Sequence, residues 1–371
     1  MVSKYDQHLM VPTPVMEDRK KMTFNNKNGK TEYMVIGKNK GDVHTVTSQV
    51  KRGRIQKVSE HKILGSWFDE TGDYGINIRK RKEKLQYMIS TTRSQASPGN
   101  IGNMAIEARI KLAETVVIPS IVYNAEAYPN YKEKEIQELE KIQHAILTGI
   151  LELPSTTPYI ALLMETGWWT MRGRLAYKKL MLYHNIITSD EKRVVKNILK
   201  EQEREGRLST WHSSIRREIE RYEIELNAKE TLKSKWKKHV KKKIGERMEK
   251  EVREECQMKR KSRIVRNDKY EKKGYLGKLN FQDTKKILKV RLNMCKIPGN
   301  YKGKSEGICP LCHDGEGNIE HYFQCTGVYV LAETWGVQRS DLESQEEEKM
   351  IRVAKFIEKV ECMLEPVMTK I

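Results

Sequence analysis

No stretch of this 371-residue chain approaches the roughly 18 consecutive apolar residues that span a bilayer. The amino terminus, with Lys4, Asp6, Glu17 and Asp18, lacks the apolar core of a signal peptide. Both absences point away from the membrane-spanning and secreted classes, and the expected location is intracellular. Cysteine is scarce: there are six, and Cys256, Cys295 and Cys362 are scattered, which fits reduced thiols better than a disulfide framework. Acidic charge is also in deficit. Seventy lysines and arginines against fifty aspartates and glutamates leave a net charge of +20. A surplus that large favours phosphate contact through counterion release, whereas an anionic membrane surface would want an amphipathic or apolar anchor, and none is present. RNA or DNA is the expected partner, and the same basic clusters suit nuclear import. With 38% hydrophobic residues, two or three modest domains are expected rather than one large core.

Against this scarcity, four residues stand close together. Cys309, Cys312, His321 and Cys325 form the spacing C-x2-C-x8-H-x3-C. Two cysteines two residues apart can both turn inward from one tight loop, supplying half of a tetrahedral zinc site, so the expected cofactor is Zn2+. Pro310 and Leu311 suit that turn, Gly315, Gly317 and Asn318 let the chain fold back, and Ile319, Tyr322 and Phe323 are placed to cover the second ligand pair. His313, immediately after a ligand cysteine, is expected to point away.

The expected fold is mainly α with a short β-rich segment near the amino terminus. Residues 1–22 read as a loose leader. Strands are expected over 31–37, 54–58 and 62–68, followed by a turn at 69–73. A basic helix to about residue 93 carries Arg79, Arg81, Lys82 and Arg93, and closes a first segment, 23–93. A helical module over 94–190 has a helix ended or kinked by Pro119 and another with Ile136, Leu139, Ile142, Ile146 and Ile150 at helical spacing. Within it, Trp168 and Trp169 read as core anchors, with a stacking platform as the alternative. A basic helical linker spans 191–294. Its stretch 233–273 has eighteen basic residues against seven acidic, and no continuous apolar stripe is apparent in it. There Trp236, among Lys237, Lys238, Lys241, Lys242 and Lys243, is expected to stack on bases while the lysines meet phosphates. The zinc knuckle occupies 295–330 and a terminal helix 331–371, the latter with Ser340 to Glu343 as a capping box. From the knuckle, Tyr322 and Phe323 are expected to face bases.

Several linked segments carry a family resemblance. NKNGKTEYMVIGK (26–38) resembles a late palm segment, and HKILGSWFDETG (61–72) a primer-gripping hairpin. IKLAETVVIPSIVYNAEAY (110–128) and ELEKIQHAILTGILELPSTTP (138–158) are similar to successive thumb segments. With the knuckle after a basic linker, residues 26–325 resemble the carboxy-terminal part of a non-LTR retrotransposon reverse transcriptase. The resemblance implies a palm remnant, a helical thumb, and a template-primer duplex, such as an RNA–DNA hybrid, along Arg79, Arg81, Lys82 and Arg93. Adjacent aspartates occur nowhere in the chain, so the carboxylates of two-metal polymerisation are not here. The expectation is therefore a nucleic-acid-binding fragment of an RNA-directed DNA polymerase, inactive alone. The alternatives are a subunit completing a separately encoded palm, or a domesticated zinc-knuckle module that binds protein.

Overall fold

The computed structural model describes residues 32–34, 56–70, 74–95, 106–128, 131–207, 210–259, 262–300 and 307–368. As expected, the fold is mainly helical, with short strand pairs near the amino terminus. Two units are distinguished, 1–79 and 80–371. The expected leader, and most of the expected 31–37 strand, lie outside the described residues.

In the first unit, β1 (Glu32–Tyr33) pairs in parallel with β2 (Gln56–Lys57). Next, β3 (Glu60–Ile63) and β4 (Ser66–Asp69) form an antiparallel hairpin with Ile63 opposite Ser66. The strand expected unbroken over 62–68 thus folds back on itself. Leu64 and Gly65 both take positive φ, 47° and 86°, as a tight two-residue hairpin turn requires. Helix α1 (Gly75–Lys82) follows, and its buried Asn77 receives the Trp67 amide at 2.9 Å while donating to the Trp67 carbonyl at 2.7 Å.

The second unit opens with α2 (Leu85–Gln95) and α3 (Ile106–Leu112). Pro119 neither stops the chain nor ends its helical course. A π-helical stretch, Ala113–Val117, in which the Ile118 amide reaches back to the Ala113 carbonyl, leads directly into α4 (Ile118–Ile121) with proline in its first turn. Helix α5 (Glu133–Leu151) buries Leu139, Ile142, Ile146 and Ile150, the face its periodicity indicates. Then come α6 (Tyr159–Thr166) and α7 (Met171–Ile187), the latter capped by Thr170, whose hydroxyl accepts from the Gly173 amide at 3.1 Å. Between them Gly167 has φ 64°, and a β-carbon there would lie 2.5 Å from the Lys272 amide nitrogen, so only glycine fits.

The stretch expected as a linker is packed. After α8 (Val194–Glu205) and α9 (Trp211–Arg221) comes the 26-residue α10 (Lys233–Met258), which does carry an apolar stripe: Trp236, Val240, Ile244, Met248, Val252 and Cys256 are all buried. Trp236, Val240, Ile244 and Met248 join Ala176 and Leu180 of α7 in one core cluster. Beyond α11 (Tyr275–Lys278) and α12 (Phe281–Arg291), a buried ionic knot holds the loops. The guanidinium of Arg291 bonds Glu165 at 2.8 Å and also Asp268, and the Tyr275 hydroxyl donates to the same Glu165. The knuckle then leads through α13 (Tyr329–Trp335) and a 3-10 turn (Arg339–Glu343) to α14 (Glu347–Met368), which packs on α12. The cap before α14 differs from the one expected: Gln338 and Asp341, not Ser340 and Glu343, make the reciprocal bonds, with the Gln338 amide donating to Asp341 at 2.8 Å.

Candidate metal centre and basic surface

The loop around Cys309 is built to converge. An antiparallel bridge joins Ile308 to Glu316, the Cys309 amide donates to the Gly315 carbonyl at 3.0 Å, and the His313 amide returns to the Cys309 carbonyl at 2.8 Å. Asn318 places the second ligand pair: its side-chain oxygen accepts from the amides of Glu320 and His321, at 3.1 and 3.0 Å, starting the 3-10 turn His321–Phe323. As a result the sulfurs of Cys309, Cys312 and Cys325 and a ring nitrogen of His321 all lie within 4.8 Å of one another, and these residues can hold a metal ion. Cys309 Sγ and Cys325 Sγ are 3.7 Å apart and Cys312 Sγ is 3.2 Å from His321 Nε2. A tetrahedral zinc with sulfur at about 2.3 Å separates its thiolates by roughly 3.8 Å, so the cluster is compatible with that ion. His313 is exposed, takes φ 58°, and stands outside the cluster, as expected.

Burial raises the Cys309 pKa, but the backbone amides of Leu311 and Cys312 outweigh it and leave the group below its ordinary value. Burial, followed by hydrogen bonding with Cys312, pushes Cys325 up to about 12. A divalent ion at the centre would hold both as thiolates.

Three aromatic residues expected at the nucleic-acid surface are inside the protein. Trp236 is 0% exposed, with its indole nitrogen donating to the Leu180 carbonyl at 3.2 Å and its ring stacked on His184 at 5.6 Å. Tyr322 is likewise 0% exposed, while Phe323 packs against Phe356 of α14 with ring centroids 5.2 Å apart. Apolar burial takes each of them from the surface where a base could reach it. Ile319 is buried with them, so these residues cover the ligands from within.

Of the expected cations near the hairpin, Arg79 is ion-paired with Glu60, and Arg81 donates to the carbonyls of Ile121 and of Tyr123, the latter at 2.7 Å. Lys82 pairs with Glu138 at 3.1 Å. Arg93 belongs to α2, but its side chain lies outside the described residues.

The lysines of α10 are arranged differently. From 233 to 243 the helix has seven lysines and no acid, and from 244 to 258 five glutamates and three basic residues. Lys242 lies 3.7 Å from Glu246 and Lys243 3.5 Å from Glu225. Lys237, Lys238 and Lys241 are exposed, and among the described residues none forms an ion pair. Reasoning from the sequence missed their neighbours. Lys237 and Lys241 border a cleft shared with Trp169, Arg174, Tyr177 and Lys178. The four-residue spacing of Arg174 and Lys178 on α7 was the available signal, while Trp168, the other half of the tryptophan pair, is buried core.

Comparison of the chain with family models, with curated proteins and with solved structures found no match.

Proposed function

We propose that this chain is a zinc-folded nucleic-acid-binding protein, descended from the carboxy-terminal part of a non-LTR retrotransposon reverse transcriptase and acting in the nucleus on RNA, DNA or their hybrid. The observation that carries the reading is the lysine face of α10. Positive charge at a helix amino terminus opposes the macrodipole, and acidic charge toward its carboxy end opposes it again. Here the first eleven residues carry seven lysines and no acid and the remainder is net acidic, so the helix is charged against its own stability. A bound polyanion relieves that conflict by pairing with the exposed Lys237, Lys238 and Lys241.

Zinc is the metal this reading assigns to the knuckle, since three thiolates and an imidazole suit a soft tetrahedral ion. Its role is structural: with Tyr322 and Phe323 turned inward, the ion holds the knuckle against α14 and contributes about 10 to 16 kcal/mol to folding that small loop. The test is equilibrium binding of zinc-loaded protein to single-stranded RNA, duplex DNA and an RNA–DNA hybrid, beside a Lys237→Glu/Lys238→Glu/Lys241→Glu variant. Affinity for at least one nucleic acid should fall by about tenfold or more in the variant. Equal affinity in the two proteins would overturn the assignment to α10.

A further inference from the structure

We infer that the cleft between the π-turn, α7 and α10 seats one unstacked nucleotide of a single strand, its base against Trp169 and Tyr177 and its phosphates on Lys237 and Lys241. This rests on the nucleic-acid-binding reading and gives it a strand type and a position. The cleft has a volume of about 440 Å³, within the range of small-ligand pockets and large enough for a base and its sugar. One wall is apolar, from Ile118, Pro119 and Val122. Trp169 and Tyr177 form the aromatic part, perpendicular to each other with centroids 5.8 Å apart. Both are only partly buried, and both pack on the core that contains Trp236 and Val240, so their positions are held from behind.

The cations divide into two kinds. Arg174 is committed to Glu114 at 3.2 Å and to the Trp169 carbonyl, and Lys178 to Glu126 at 2.8 Å and the Val122 carbonyl at 3.0 Å. Those pairs fix the wall. Lys237 and Lys241 have no acidic partner among the described residues and stand one helical turn, about 6 Å, apart on the rim. An aromatic surface beside uncommitted ammonium groups is the arrangement by which single strands are held without sequence preference, each base offering a π-face and each phosphate a charge. A duplex keeps its bases stacked on one another and cannot offer one to a cleft of this size. The π-turn supplies Glu114, the partner of Arg174, to the lining, and such turns recur at functional sites.

The experiment uses the full zinc-loaded chain with 12-nucleotide oligo(U), oligo(dT) and a 12-base-pair duplex, comparing wild type, Trp169→Ala, Trp169→Phe and Lys237→Gln/Lys241→Gln. Trp169→Ala should weaken both single strands by about 5- to 150-fold, the range for one stacked base, and change duplex binding by less than about twofold. Trp169→Phe should recover most of the loss. The lysine pair should weaken all three ligands and flatten their salt dependence. Oligo(U) and oligo(dT) responding alike would assign the cleft to single strands generally, and a loss confined to one would assign it to RNA or to DNA. A fold-independent arm cross-links 5-iodouracil-substituted strands to wild-type protein, and the adducts should map to Trp169 or Tyr177. Tight single-strand binding with Trp169→Ala unchanged, or adducts only elsewhere, would overturn the cleft while leaving nucleic-acid binding intact. Wild-type protein binding neither strand nor duplex would overturn both.

Discussion

At Gly327 the knuckle closes over its own first turn. A β-carbon there would lie 2.8 Å from Leu311 Cβ and 2.9 Å from the Leu311 carbonyl oxygen, a clash with backbone that no rotamer relieves. Gly327→Ala should therefore cost about 1 to 3 kcal/mol and weaken metal retention, read as a lower zinc affinity in a competitive chelator titration. An unchanged affinity would mean the loop tolerates a shift at the Leu311 turn. A different residue sets the pH response. Lys179 is buried, 3.2 Å from the Ser214 hydroxyl, and desolvation lowers its pKa to about 8, with Glu218 opposing the shift. The unfolded chain then binds more protons than the folded one between about pH 8 and the ordinary lysine value near 10.4, so the penalty is complete below pH 8 and fades as pH rises through that window. Wild type should gain thermal stability relative to Lys179→Met between pH 8 and 10. A difference independent of pH would contradict the burial argument. How much of the site was legible differs residue by residue. The four metal ligands could be read from sequence because their chemistry and spacing are local. Phe323 was misassigned because it packs on Phe356, thirty-three residues further on, and Tyr322 because its ring turns in beside His321 with its hydroxyl against Gly317.

Among the elements, α5 was legible and α10 was not, and the reason is geometric. The buried residues Ile136, Leu139, Ile142, Ile146 and Ile150 of α5 mix steps of three and four, holding one face of a straight helix. Those of α10 recur strictly every fourth residue from Trp236 to Cys256. At 3.6 residues per turn such a series drifts by about 40° per step, so it winds around the helix and escapes a fixed-face reading. The hairpin turn at Leu64 and Gly65 was hidden for a similar reason, since Leu64, an apolar residue, continues the strand pattern although it is exposed at the bend. Two element-scale tests follow from the packing. Arg291 ties α12 to α6 through Glu165, both nearly inaccessible. Burial alone would lower the arginine pKa, yet Glu165, Tyr275 and Asp268 raise it. Arg291→Ala should cost about 3 to 5 kcal/mol in denaturant unfolding because it strands a buried carboxylate. A loss under 1 kcal/mol would show that Glu165 is neutralised another way. Chelation should act elsewhere: hydrogen exchange should accelerate at the Cys309, His313 and Gln324 amides and at the α14 face under Phe323, while α5 and α7 stay protected. Uniform acceleration would contradict a locally folded knuckle.

For the whole molecule, the excess of basic residues is uneven in its availability. Arg79, Lys82, Arg172, Arg174 and Lys178 are already ion-paired with carboxylates of the chain, several of them at the surface, whereas Lys237, Lys238 and Lys241 in the amino-terminal half of α10 are exposed without such a pair among the described residues. Composition alone could not make that distinction, because it follows from which faces α7 and α10 bury against each other. The measurement that tests the account most directly is the salt dependence of binding by zinc-loaded wild-type protein. With Lys237, Lys238 and Lys241 each neutralising a phosphate, log K should fall against log salt with a slope of about −2 on single strands, from roughly 0.7 per contact, and steeper where further cations join. The charge-reversed triple variant should lose that slope. Weak binding that does not change between low and high salt would contradict the assignment of this protein to nucleic acid.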